Sequence, residues 1–219
     1  MNDEQIVKDI VDCLSQDSRV DASDIQVEAS NGKVKLFGTV PVYTSRQIIE
    51  LDCYDVKGVT SVENNLQVKH PTCVRIPPDH ELKGHLESLF SWNQEVAEEH
   101  IRIAVTDGEV TLDGNVDAYW KKVRAEDLAA AVKGVTNIEN KLAVVPTQNI
   151  YDKTIGDGIA DALARNAQID ANTVDVKVKD GAVTLSGKVP SQGARKAAQE
   201  VAAHTMGVIE VYNHLELGA

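Results

Sequence analysis

Residues Asp117-Ala-Tyr119-Trp120-Lys121-Lys122-Val-Arg124 set two aromatic rings beside three cations. Rings of this kind settle at the boundary of a lipid headgroup layer, and cations beside them meet phosphate. Tyr119, Trp120, Lys121, Lys122 and Arg124 are therefore a candidate surface for phospholipid headgroups or a protein partner. The same residue types also fit a plainer role, in which the rings cover apolar surface on a neighbouring part of the chain and the lysines stand in water. A second candidate patch is Lys177, Lys179 and Lys188, which alternation places together on one strand face. Its plainer role is to discourage edge pairing.

Catalysis needs a nucleophile, a base and an acid brought together, and no such grouping is visible. There is no Gly-x-Ser-x-Gly elbow. Gly181 to Gly187-Lys188 has five residues between its glycines where a phosphate loop needs four, and no Ser or Thr follows. Gly156-Asp157-Gly158 falls within a helical pattern and is no dinucleotide fingerprint. Among the six histidines there is no His-Glu-x-x-His, and His80 and His85 read as a solvated pair. Cys13 and Cys53 read as small core residues, and Cys73 as a linker thiol. The expectation is a non-enzymatic protein with no cofactor and no metal.

The elements that carry these residues repeat. Asn31-Gly-Lys-Val-Lys-Leu-Phe-Gly-Thr-Val40, Asp107-Gly-Glu-Val-Thr-Leu-Asp-Gly-Asn-Val116 and Asp180-Gly-Ala-Val-Thr-Leu-Ser-Gly-Lys-Val189 align without gaps, at offsets of 76 and 73 (107−31 and 180−107). The same offsets superpose Gly58, Gly134 and Gly207, and also Asn64, Asn140 and Asn213. Ile6, Ile10 and Leu14 share one helix face, as do Leu82, Leu86 and Phe90, and Ile155, Ile159 and Leu163. Alternating apolar residues then mark a strand, a two-residue turn at Gly32, Gly108 or Gly181, and a second strand. A second helix over about 43–56, 119–132 and 192–205 ends at the cap glycine, and a third strand follows. Each repeat thus reads helix, strand, strand, helix, strand. The fold class is α+β: three tandem αββαβ domains, each a three-stranded mixed sheet with two helices on one face. A right-handed crossover should set the third strand parallel to the second.

The expected domains are 1–70, 79–145 and 153–219, joined by linkers 71–78 and 146–152. Val74, Ile76, Ile150 and Tyr151 suggest packed linkers. The open sheet face of the first repeat should show Gln26, Glu28, Lys33, Lys35, Glu63 and Gln67. The three asparagines should hydrogen-bond nearby backbone rather than a ligand.

A net charge of −12 argues against nucleic acid as a partner, because phosphate is bound through Lys and Arg. No apolar run approaches the length of a membrane span. Met1-Asn2-Asp3-Glu4 lacks a basic start followed by an apolar stretch, so the expectation is cytoplasmic, or periplasmic if a leader precedes this sequence.

The pattern [Asn/Asp]-Gly-x-Val-x-Leu-x-Gly-x-Val, then a helix, then Gly-Val and Val-x-Asn-x-Leu, resembles the BON domain (bacterial OsmY and nodulation) in three copies. In the third copy Met206-Gly-Val-Ile replaces Lys-Gly-Val-Thr. The resemblance implies a non-enzymatic bacterial stress or envelope-associated protein that associates weakly with phospholipid. The alternative is a cytoplasmic interaction scaffold or chaperone-like module that works through its open sheet faces.

Overall fold

The computed structural model describes residues 2–71, 75–97, 100–148 and 150–218. Cys73 and Val74 lie outside the described residues. The elements are α1 (Asp3–Gln16), β1 (Ile25–Ser30), β2 (Lys33–Val40), α2 (Tyr43–Asp55), β3 (Ser61–Val68), α3 (Asp79–Trp92), β4 (His100–Thr106), β5 (Glu109–Val116), α4 (Tyr119–Ala130), β6 (Asn137–Val144), α5 (Asp152–Arg165), β7 (Val174–Lys179), β8 (Ala182–Val189), α6 (Gln192–Ala203) and β9 (Glu210–Leu217). They form three separate sheets, ordered β1-β2-β3, β4-β5-β6 and β7-β8-β9. By contact density the chain divides into two compact units: Met1–Leu89 with Ile103–Thr111 and Asp127–Glu139, and Phe90–Arg102 with Leu112–Glu126 and Asn140–Ala219.

The first unit holds the whole first repeat. Spacing of four brings Ile6, Ile10 and Leu14 of α1 onto the sheet, where they meet Val34, Leu36 and Val40 of β2, Ile49 and Cys53 of α2, and Leu66 of β3. β1 pairs antiparallel with β2, with Val27 opposite Leu36. β2 pairs parallel with β3, with Val34 opposite Val62. Gln26, Glu28, Lys33, Lys35, Glu63 and Gln67 are exposed on the far face, as the alternation requires. Phe37 stands among them as an exposed ring on that polar face. The second unit holds the third repeat, built the same way around Ile155, Ile159, Leu163, Val183, Leu185, Ala198 and Leu215.

The hairpin turns show the backbone that their sequence demands. Asn31 and Gly32 have φ of 51° and 77°, Asp107 and Gly108 52° and 77°, and Asp180 and Gly181 51° and 76°. Positive φ at both central residues gives a turn whose twist matches the strands. Each turn is held by a carboxylate at the start of the repeat's first helix. Asp152 Oδ2 accepts from the Asp180 N–H at 2.8 Å and Oδ1 from the Gly181 N–H at 2.9 Å. Asp79 holds Asp107 and Gly108 at 2.8 and 3.0 Å. Asp3 holds Asn31 and Gly32 at 3.1 and 3.5 Å. The turn carbonyl is used as well: Gly32, Gly108 and Gly181 accept from Thr60, Thr136 and Ile209 at 2.8 to 2.9 Å. This draws the turn so close to the cap that a Cβ on Gly32 would lie 2.6 Å from the Gly58 carbonyl oxygen.

Of the linker residues, Ile76 and Ile150 are half-buried, and each lies close to the cap glycine of its own repeat, Gly134 or Gly207. Tyr151 differs from the expectation of a packed linker, because it is 84% exposed. One polar residue sits against the trend. Asp52 is only 9% exposed, one of its oxygens has no hydrogen-bond partner, and Arg19 reaches no closer than 3.8 Å. Desolvation, then the neighbouring Asp17, raise its pKa above the usual carboxylate range. The other repeats carry Leu128 and Val201 at this position.

Two outcomes follow. Asp152→Ala should lower unfolding free energy in urea by about 1–3 kcal/mol, the range for charge-assisted bonds to backbone. Asp52→Leu should stabilise the chain at neutral pH. A raised carboxylate pKa means that the unfolded chain ionises first, so stability falls as pH rises from the ordinary to the raised value. The gain from Asp52→Leu should therefore shrink as acid protonates Asp52, which urea melts across that range would read.

Candidate functional site

α4 begins at Tyr119, and its first two turns carry every residue of the aromatic–basic cluster. The two rings are covered and Lys121 and Arg124 are ion-paired, which differs from the expected exposed helix start. Tyr119 is half-buried against the core of the third repeat. Burial pushes its phenol pKa up. The Trp120 ring stacks on His204, with centroids 5.8 Å apart and planes 11° apart. Lys121 Nζ lies 2.7 Å from Asp117 Oδ1 and 5.8 Å from the Trp120 centroid. Arg124 Nε donates to Glu95 Oε2 at 2.6 Å. Lys122 gives its carbonyl to Asn140 at 3.0 Å. Tyr119 and Trp120 therefore form a contact between the second and third repeats in this unit, while Lys121 and Arg124 are paired within the second repeat.

The first unit has a matching contact. Tyr43 stands 76 residues before Tyr119 and is buried. The Arg46 guanidinium lies 5.9 Å from the Tyr43 centroid. One of its nitrogens donates to the Asn64 carbonyl at 3.0 Å and another to Asn137 Oδ1, in the second repeat, at 3.4 Å. The third repeat has Gln192 in place of the tyrosine, and Arg195 reaches the Asn213 carbonyl at 3.5 Å.

The three asparagines do what their parity implied. Asn64 Nδ2 donates to the Arg46 carbonyl at 2.9 Å and to Glu50 at 3.1 Å, and its Oδ1 accepts from the Leu66 N–H at 3.2 Å. Asn140 repeats this with Lys122, Glu126 and Leu142, and Asn213 with Arg195, Gln199 and Leu215. Each amide fastens the third strand to the second helix, and these bonds occupy it.

The lysine patch needs correcting. Lys177, Lys179 and Lys188 are exposed, but Lys179 pairs with Ala182 at one end of β8 while Lys188 lies six residues further along. At strand rise that is about 20 Å, so the three do not converge. Lys177 is also paired with Asp175 at 3.4 Å. Cys53 is fully buried, and desolvation pushes its thiol up to about 12. Cys13 is half-buried beside the same core. Among the described residues no group of three or more His, Cys, Asp or Glu is placed to hold a metal ion. A shallow groove of about 480 Å³ runs past Pro146, Ile150, Tyr151, Asp180 and Ile209. Among the described residues no helix is long and apolar enough to cross a membrane.

Sequence reasoning missed the exposed Trp92 and Met206, because an apolar residue at a helix end carries no mark of whether anything covers it. It also missed the three aspartates that hold the turns, although they stand in the repeat register. Tyr119→Ala should cost about 2–4 kcal/mol in urea unfolding, as for a large ring removed from packing. Trp92→Ala, at a side chain 87% exposed, should fall within about 0.5 kcal/mol of the parent.

Comparison with known proteins accounts for the threefold plan. A profile of the BON domain matches residues 2–70, 78–146 and 151–219. Osmotically-inducible protein Y of Escherichia coli is 28% identical over 145 residues, 65% of this chain and 72% of that protein. The 21 kDa hemolysin of Actinobacillus pleuropneumoniae is 32% identical over 126 residues, 54% of this chain and 64% of that protein. CdsD, a structural protein of the type III secretion system of Chlamydia trachomatis, aligns over 98% of this chain and 92% of the CdsD chain, at 18% identity and a TM-score of 0.28, too low to carry an argument. The chain belongs to the BON-domain family and carries three copies of the domain.

Proposed function

We propose that this chain is a non-catalytic osmotic-stress protein that binds protein partners through the open faces of its sheets. The likeness to osmotically-inducible protein Y supports the stress setting. The observation that carries the binding mode is the use of Tyr119, Trp120, Lys121 and Arg124 inside the chain. With that cluster occupied, the surface the repeats hold in common is the polar sheet face. In the first repeat it bears Gln26, Glu28, Phe37 and the Lys35–Glu63 ion pair at 2.9 Å. A ring among charged and amide groups gives an anchor with a polar rim, as protein interfaces do.

A photo-crosslinking residue at Gln26, Asp113 or Ser186, one on each sheet face, should trap discrete protein adducts in cells after osmotic upshift. Placed at Trp120 it should trap none. Adducts from Trp120 alone would remove this reading.

Exposed Trp92 and Tyr151 favour a second reading, reversible association with anionic phospholipid. A lysine or arginine at such a surface contributes about 1 kcal/mol, and the acidic balance works against it. Co-sedimentation with neutral and anionic vesicles at low and high salt separates the two. On the protein-binding reading the chain stays in the supernatant. Salt-sensitive pelleting with anionic vesicles that Trp120→Ala/Lys121→Glu/Lys122→Glu abolishes would restore the lipid site.

A further inference from the structure

The contact between the second and third repeats is head-to-tail: a tyrosine at the start of one second helix enters the following repeat beside its third strand. There Tyr119 packs against the core that Ile155, Val183 and Val211 help build. The residue of the third repeat's own second helix nearest this place in the register is Ala203, which is buried and takes little space. The second repeat, whose Asn137 accepts from Arg46 of the first, has buried Ala130 at that position. Contacts of this kind do not close on themselves. Unless the ends differ, they continue from one molecule to the next as an open filament.

Both ends of this chain do differ. In the first repeat the equivalent of Ala130 and Ala203 is Tyr54 (130−76 and 203−149). Its hydroxyl accepts a hydrogen bond from the Val62 N–H at 3.2 Å, and its ring packs against the first repeat's core. Val62 is the equivalent of Val211 (211−149). Val211 belongs to the core that Tyr119 packs against, so a tyrosine covers the corresponding place in both repeats. In the third repeat the ring arrives from the preceding repeat, and in the first it comes from the repeat itself. In the third repeat, Gln192 stands where the first two repeats have Tyr43 and Tyr119.

We propose that Tyr54 is an internal plug that closes the first repeat's tyrosine socket against a second copy of this chain, and that Gln192 withholds the matching ring at the opposite end. The first and third repeats are thus capped. Repeat proteins need such ends to stay soluble. A donor ring and an empty socket are enough to rebuild the contact. The junction between the first and second repeats works with Thr44 where the other junction has Trp120, and with Arg46, whose counterpart Arg195 is already present.

The test is sedimentation equilibrium of full-length chains over a range of concentrations, each compared with the parent's own mass. Gln192→Tyr alone and Tyr54→Ala alone should each keep the parent mass. An equimolar mixture of the two should double it and go no further, since one chain supplies only a ring and the other only a socket. Tyr54→Ala/Gln192→Tyr in one chain should grow without limit as concentration rises. If Tyr54→Ala does not fold, Tyr54→Val keeps aliphatic packing while withdrawing the ring and hydroxyl. Parent mass in both the mixture and the double variant would overturn the proposal. So would self-association of Gln192→Tyr with Tyr54 in place, because the socket would then be open without removal of the plug.

Discussion

One carboxylate per repeat, on Asp3, Asp79 or Asp152, ties the start of the first helix to both backbone N–H groups of the hairpin turn. Much else depends on that tie. A two-residue turn fixes hairpin register, and in a strand pair a slip of one residue would exchange the buried and exposed faces. Holding the turn against the helix start therefore keeps Val34 and Leu36, or Val183 and Leu185, facing the helices. It also presents the turn carbonyl to the residue that opens the third strand, so helix, hairpin and crossover meet at one corner.

The opposite end of the second strand is fixed by close approach. Gly38, Gly114 and Gly187 all have positive φ, and a Cβ at any of them would fall about 2 Å from a carbonyl oxygen at the start of the first strand. Between these two corners the cores are small and aliphatic. Where the first repeat has Cys53, the others have Ala129 and Ala202. Two rings, Tyr119 and Trp120, lie where the second and third repeats meet, and the three asparagines make these hydrogen bonds within their own repeats.

Element types, turn conformations, strand directions and the role of the asparagines were legible because each depends on residues near one another or on a simple period. The lipid-surface reading of Tyr119 to Arg124 shows the limit. A ring beside cations satisfies a membrane boundary and a neighbouring domain by the same chemistry, and only the third repeat's core and His204 distinguish them. The lysine patch failed for a related reason: alternation assigns Lys177, Lys179 and Lys188 to one face but says nothing of distance along it. The clamping aspartates were readable in principle. An acidic residue in a first helical turn is so ordinary that only its recurrence at offsets of 76 and 73 marks it. Tyr54 was hidden more deeply, since its meaning lies in the alanines that replace it.

The hydrogen bond from Val62 to Tyr54 spans eight residues of chain, whereas Tyr119 must wait for Val211, ninety-two residues on (211−119). Translation therefore treats the two rings differently. The first forms its bond while its own repeat is leaving the ribosome, so the first repeat is sealed early. The second stays without its partner until β9 has been made, since a contact between distant residues waits for both to exist. During that interval the second repeat carries Tyr119 and Trp120 uncovered, and their exposure to other nascent chains ends once the third repeat has been made.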